Sequence, residues 1–282
     1  MIRKLDTVNI EDLKKLNDFL LSESSSLLYI SVDYISLLEN YLENTLTELW
    51  ISTNDTNEII GYFPIMFRLN SSFGNVCNSL PFYGSNGGIT VSSKLNLAEK
   101  NNVRKELLNA VLKSTKEKNC VSVTFITNPL ESDFNEWISK NFVYQLTDER
   151  IGQLTPLPSF ETNDLEKALM NLYEDPRPRN IRKALKENII VYSSHSDEAF
   201  DFLYATHFEN IMSINGIPKE KTFFETIKNS VPKERYKIYI AEKNGEKIGA
   251  LLLFYFNKTV EYFTPAIVEQ HRNLHGSSNM FR

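Results

Sequence analysis

The feature that most constrains this chain is a β-hairpin plan that occurs twice. Leu49-Trp50-Ile51 reads as a strand, Asn54 to Asn57 as a polar turn and Ile59 to Leu69 as a longer strand. Further along, Lys237 to Ile240, the turn Lys243-Asn244-Gly245-Glu246 and the run Lys247 to Phe256 follow the same order. Trp50-Ile51 answers Tyr239-Ile240, and Ile60-Gly61 answers Ile248-Gly249. An internal repeat at this distance implies two copies of one supersecondary unit, so the backbone of 49–81 is expected to superpose on that of 236–265.

The surroundings of the hairpins extend the match. Helical spacing over 10–21, with Asn9 as cap, and over 33–46 precedes the first; segments 200–211 and 223–231 precede the second. Each hairpin leads into a third strand that runs to a proline, Cys77 to Pro81 and Val260 to Pro265. The first copy continues with a helix over 98–116, a buried strand over 121–126, a helix over 134–141 and a last strand over 142–146. This predicts an α/β fold, a mixed sheet flanked by helices with a parallel pair in its middle. The second copy stops at Arg282 soon after its third strand and is expected to be C-terminally incomplete. A Pro, Ser, Thr and Asn cluster over 155–163 marks the linker, giving expected domains of 1–157 and 158–282.

The chain has 282 residues, enough for two ordinary cores. Its formal net charge of -5 argues against DNA as a partner, because coating a polyanion needs a broad excess of Lys and Arg. The start is charged throughout and lacks a signal core, and the longest apolar run, 248–256, is far short of the roughly 20 residues of a membrane helix. A cytoplasmic protein with at most peripheral membrane contact is the expectation. Cys77 and Cys120 form no C-x-x-C pair and are expected as reduced thiols.

Two stretches carry candidate chemistry. In Pro81-Phe82-Tyr83-Gly84-Ser85-Asn86-Gly87-Gly88, glycines allow positive φ and close backbone approach, while Tyr83, Ser85 and Asn86 offer hydrogen-bonding groups. The loop lacks the spacing of a phosphate loop, and a plain strand-to-helix turn is the alternative. In Arg177 to Lys186, Pro178 suits a first helical turn and places Arg179, Arg182, Lys183 and Lys186 on one face. Such a stripe either meets an anionic substrate or is a solvated face balanced by Glu174, Asp175 and Glu187. The four histidines have no metal-ligand spacing, so no metal and no resident cofactor are expected. No G-x-S-x-G nucleophile elbow is present.

Together, PFYGSNGG after the third strand, RPRNIRKALKENIIV opening the second copy, and EKIGALLLFYFN followed by KTVEYFTPA resemble the FemAB-type peptidyltransferases, tandem-GNAT proteins. The resemblance spans most of the chain; its motifs are diffuse, and the chain lacks the helical coiled-coil arm of some members. It implies transfer of an amino acid from an aminoacyl-tRNA to an amine of an anionic cell-surface precursor lying in a cleft between two domains. Tyr83, Ser85 and Asn86 would then line the first-domain side, and Arg179, Arg182 and Lys183 would meet phosphate or carboxylate groups. Tyr204, His207 and Tyr262 are the candidates for positioning or proton transfer. Two other readings stand beside it: N-acylation of a sugar or small molecule from acyl-CoA or an acyl carrier, and a non-catalytic binding protein. The turn Gln270 to Ser277 is only a loose match to a CoA-binding turn.

Overall fold

The computed structural model describes residues 1–80, 86–149, 152–159 and 161–274. They form two compact units, one of 1–152 with 256–259, the other of 153–255 with 260–282.

The first unit opens with β1 (Ile2–Lys4) and α1 (Ile10–Ser22), where the Asn9 side chain accepts from the amides of Glu11 and Asp12. α2 (Val32–Tyr41) is capped by Ser31 and is shorter than its apolar pattern predicts. Leu42 is already extended and Asn44 takes a positive φ of 55°, which turns the chain into β2 (Thr45–Thr53). β3 (Ile59–Arg68), β4 (Asn75–Asn78), the short β5 (Thr90–Val91), α3 (Leu97–Glu117), β6 (Cys120–Thr124) and α4 (Ser132–Asn141) complete the unit. The strand order is β1-β2-β3-β4-β6, with β5 paired to β3; β4 and β6 are parallel and the remaining pairs antiparallel.

The α3-facing side of this sheet explains the Ile-Gly motif. Phe63, Ile65 and Phe67 pack there against Val103, Leu107 and Val111. A Cβ at Gly61 would lie 2.5 Å from Val103 Cγ1, so the glycine lets α3 rest directly on β3. Among these apolar residues sits a carboxylate, Glu48, only 6% exposed. Lys118 Nζ donates to it at 2.6 Å, Lys4 Nζ and Ser114 Oγ at 2.7 Å and Trp50 Nε1 at 3.0 Å, so burial is matched by donors from four residues.

Two expectations for this unit need correction. β6, expected as a buried strand, has Val121 66% exposed; it is bordered on one side by β4 and lies at the end of the strand order. Residues 142–146, expected as a strand, form none. Phe142 instead turns back onto Trp137, with ring centroids 5.5 Å apart, and Val143 is fully exposed, so the segment packs onto the end of α4 and does not pair with the edge strand β6.

The second unit contains α5 (Leu165–Met170), α6 (Arg177–Lys186), β7 (Ile190–Ser194), α7 (Asp197–Met212), α8 (Lys221–Ser230), β8 (Tyr236–Lys243), β9 (Glu246–Phe256) and β10 (Thr259–Ile267). Its sheet has the order β10-β9-β8-β7. The β8–β9 turn is fixed by chemistry read from the sequence: Asn244 and Gly245 take φ of 53° and 83°, the left-handed pair a tight hairpin requires. On one side of the sheet α6 contributes Ala184 to a cluster with Ala241, Ile248 and Leu251. On the other, Phe223 of α8 stacks on Phe263, and Phe200 of α7 meets Tyr236 edge to face. Among the described residues no helix is long and apolar enough to cross a membrane.

Candidate functional site

In the first unit the parallel strands β4 and β6 end side by side, and the chain beyond them is stitched together. Ser79 N donates to Thr124 O at 2.9 Å, and Ser79 Oγ both accepts from Ile126 N at 2.7 Å and donates to Ile126 O at 3.2 Å. Leu80, fully buried, takes a φ of 66°, strained for a branched residue. The chain returns at Asn86, half-buried, and then packs through two glycines. A Cβ on Gly87 would lie 2.4 Å from Leu80 O, and one on Gly88, at φ 102°, would lie 3.0 Å from Ile126 O. The glycines therefore let backbone lie on backbone at the carboxyl end of the parallel pair, where α/β sheets characteristically bind ligands. Tyr83 and Ser85 lie outside the described residues.

The rim of this place is built from groups far apart in sequence. Asn128 Nδ2 donates to Ser25 O at 2.6 Å, and Ser25 Oγ donates to Glu131 at 2.9 Å. Arg104 of α3, 1% exposed, donates to Glu131 at 2.9 Å and grips Asp133 with both terminal nitrogens at 2.9 and 3.2 Å. Burial pushes the Glu131 carboxyl up against the opposing pull of Arg104 and Ser25, whereas Arg104 holds Asp133 below the ordinary carboxylate range. On the adjoining segment Glu23, 3% exposed, accepts from Ser92 Oγ at 3.1 Å and Ser93 N at 2.8 Å.

In the second unit the sequence candidates fall in three places. Tyr204 and His207 lie on α7 toward α8, each ring about 6 Å from Phe224. His207 is 5% exposed; its Nε2 accepts from Lys219 N at 3.3 Å, and burial, followed by the Lys219 ammonium, lowers its imidazole to about 4. Tyr262 is on the opposite side of the sheet. Phe254 and Phe263 meet edge to face at 4.9 Å on the α8 side, so strand alternation turns Tyr262 and Thr264 the other way, with Tyr239 and Tyr255. Tyr262 therefore does not assemble with Tyr204 and His207. Arg179, Arg182 and Lys183 occupy the exposed face of α6, whose buried residues are Ile181 and Ala184.

The side of the sheet that carries Tyr262 holds groups the sequence reading missed. The Tyr239 and Tyr255 hydroxyls share a hydrogen bond at 3.0 Å, and Lys237 Nζ lies 5.7 Å from the centre of the Tyr255 ring. Burial pushes the Tyr262 phenol up while the guanidinium of Arg177 pulls it down, and Tyr173 shows the same opposition. Arg177 is thus close enough to both phenols to affect them electrostatically. The buried hydroxyl of Thr264, a residue 1% exposed, has no hydrogen-bond partner among the described residues. Phenols raised in this way stay protonated at neutral pH and can donate a hydrogen bond. The signal in the sequence was slight, a single tyrosine on this face in each of three neighbouring strands, and it needed the strand register to be seen. Among the described residues no three His, Cys, Asp or Glu side chains come together as a metal site.

No protein-family model matches the chain, and no curated protein sequence is significantly similar to it. Among solved structures, the crystal structure of FemX aligns with a TM-score of 0.72 at 12% identity, over 95% of this chain and 82% of that one. A probable acetyltransferase aligns over 56% of this chain and 99% of its own with a TM-score of 0.37 at 13% identity. A GCN5-related glucosamine N-acetyltransferase region in a fungal β-N-acetylglucosaminidase aligns over 99% of this chain and 33% of that one, with a TM-score of 0.44 at 12% identity. The mixed sheet of the first unit, the antiparallel pairings of the second, their helical flanks and the agreement over nearly the whole chain give this protein the fold of FemX.

Proposed function

We propose that this protein is an amide-forming acyltransferase of the FemAB type, acting in the cytoplasm on the amine of a peptidoglycan or surface-polysaccharide precursor with an aminoacyl-tRNA as donor. The observation that carries the reading is the likeness to FemX over 95% of the chain. The exposed cationic face of α6 supports an anionic acceptor, since guanidinium pairs with phosphate or carboxylate through two parallel hydrogen bonds.

In this reading the acceptor amine attacks the carbonyl carbon of the aminoacyl ester. A C–N bond forms, the ester C–O bond breaks, and the tRNA hydroxyl leaves with a proton. The ester is already activated, so the protein's tasks are alignment and stabilisation of the developing oxyanion. Tyr262 is assigned to donate a hydrogen bond there; Tyr204 and His207, on the opposite side of the same sheet, are assigned to holding α7 against α8 and not to the reacting atoms. Arg179, Arg182 and Lys183 are assigned to anionic groups of the acceptor, and Tyr83, Ser85 and Asn86 to substrate hydrogen bonds. Incubating the protein with a nucleotide-linked precursor and either aminoacyl-tRNA or acetyl-CoA, followed by mass spectrometry of the precursor, tests this. A mass increase of one amino-acid residue with tRNA alone supports it; an acetyl increase with CoA alone favours the N-acetyltransferase reading; no product with either donor overturns both.

A further inference from the structure

The connection between α7 and α8 carries aliphatic side chains into solvent on a backbone that holds them there. α7 ends in a left-handed cap: Asn215 takes a φ of 56°, Gly216 N donates to Ile211 O at 2.9 Å and Asn215 N to Met212 O at 3.0 Å. Ser213 N and Ile214 N donate to Glu209 O and Ile211 O, and Pro218 has no amide proton to satisfy. Both ends of the connection are pinned. The Asn210 side chain donates to Ile267 O at 2.8 Å and accepts from Ile267 N at 2.9 Å, and His207 Nε2 accepts from Lys219 N at 3.3 Å. On this fixed turn Ile217 is 97% and Ile214 69% exposed, and Met212 and Phe208, one turn apart on α7, are 50% and 40% exposed. Aliphatic surface in water is unfavourable, and a turn bonded in this way can fold it back only by breaking those bonds.

We propose that this connection is a membrane-docking tip: Ile214 and Ile217, flanked by Met212 and Phe208, enter the interfacial layer of a phospholipid bilayer. Two properties favour lipid over a protein partner. The four side chains expose on the order of 500 Å² together, short of the roughly 800 Å² per partner of a standard protein interface. Residues 210–218 also contain no charged side chain, and the amides of 213–216 are bonded within the chain, so insertion strips water from neither a charge nor those amides. The bordering Glu209, Lys219, Glu220 and Lys221 stay in water. Their charges sum to zero, so the anchoring is apolar and does not require anionic lipid. Nothing in it depends on the transfer reaction proposed above, and the two can fail separately.

The test is co-sedimentation of the full chain with phosphatidylcholine vesicles, and in parallel with vesicles of equal parts phosphatidylcholine and phosphatidylglycerol, each at low and high salt. Binding to both, little changed by salt, is the expected result. The double variant Ile214→Ser/Ile217→Ser is expected to partition about tenfold more weakly or worse, because each change removes several apolar carbons from the tip. Both side chains are exposed, so its circular dichroism should match the parent's. In Ile217→Trp, brominated lipid is expected to quench the added indole, which places the tip within the bilayer. Failure of the parent to sediment with either vesicle overturns the proposal, as does equal partitioning of parent and double variant. Binding that needs phosphatidylglycerol and vanishes at high salt also overturns it, by assigning the contact to cationic side chains. Self-association of the parent that the double variant loses, without vesicle binding, would make the occupant a second copy of the chain and overturn it as well.

Discussion

Ser79 Oγ accepts the amide proton of Ile126 at 2.7 Å, joining the chain past β4 to the chain past β6 where the two parallel strands end. With Ser79→Ala the Ile126 amide loses its partner in a buried setting, and the expected cost is about 1–3 kcal/mol. Urea unfolding measures it. A loss no larger than a few tenths would mean that water takes over the bond and that Ser79 does not hold this end of the sheet.

Arg104 and Glu131 form a buried ion pair at 2.9 Å, and Arg104 also lies 5.2 Å from the Phe134 ring centre. Arg104→Met keeps the bulk of the side chain but strands Glu131 in a poorly solvated place. Removing one partner of such a pair costs about 3–5 kcal/mol. In the double variant Arg104→Met/Glu131→Leu the stranded charge is gone, so the loss is expected to be smaller than in Arg104→Met alone. A double-mutant cycle by denaturation checks this, and additive losses would show that the two groups are not coupled.

Glu48 gives a pH dependence with a defined window. Burial pushes its carboxyl up, but the donors Lys118, Lys4 and Ser114 outweigh burial and hold it at about 2. The unfolded chain titrates near 4.5. Between these values the unfolded state binds more protons, so the contribution is complete above about 4.5 and is lost as pH falls toward about 2. Its size is on the order of 3 kcal/mol. In Glu48→Gln the stability measured by urea unfolding should start lower at neutral pH and fall less steeply through the acid window.

If the cationic face of α6 meets the acceptor, replacing Arg179 and Arg182 with Ala should weaken binding of a nucleotide-linked precursor by about 1.5–3 kcal/mol per charged hydrogen bond lost. Both residues are exposed, so the fold should be little affected. Calorimetry with equal affinities for variant and parent would return the stripe to solvated surface.

The hairpins were legible because their chemistry is local: alternation over β2, β3, β8 and β9, and Asn244-Gly245 in the left-handed region. α6 was legible from Pro178 in its first turn. The very short β1 and β5 carry too few residues to show a period, and β7 shares its apolar pattern with any buried segment. The candidate site was legible only where backbone freedom announces itself, at Gly87 and Gly88. Its supports were not, because Ser25 and Glu131 are 106 positions apart and Arg104 and Glu131 are 27 apart. The Tyr239–Tyr255 pair depends on strand register, which a sequence period does not specify across strands. His207 could be placed on its helix from sequence, but not beside Lys219, whose approach is set by the connection that follows α7.

That placement yields the last prediction. His207 is held neutral by burial and by the Lys219 ammonium, its imidazole lowered to about 4 from an ordinary 6.5. Between these two values the unfolded chain binds a proton that the folded chain resists, so stability rises with pH across the window. The contribution is complete above about 6.5 and is lost as pH falls toward about 4, a higher window than that of Glu48. Protonation would also remove the lone pair that accepts the Lys219 amide, and would place a second cation beside the Lys219 ammonium. The expected loss is on the order of 3 kcal/mol over the full window. His207→Leu removes the titration while keeping an apolar group against Phe224, so its stability should be lower at neutral pH yet flatter between neutral and mildly acidic conditions. The difference between parent and variant, taken from urea midpoints across that range, isolates His207 from the other histidines. Parallel curves would mean that His207 titrates alike in the folded and unfolded chains, and its burial against Phe224 would then have no electrostatic consequence.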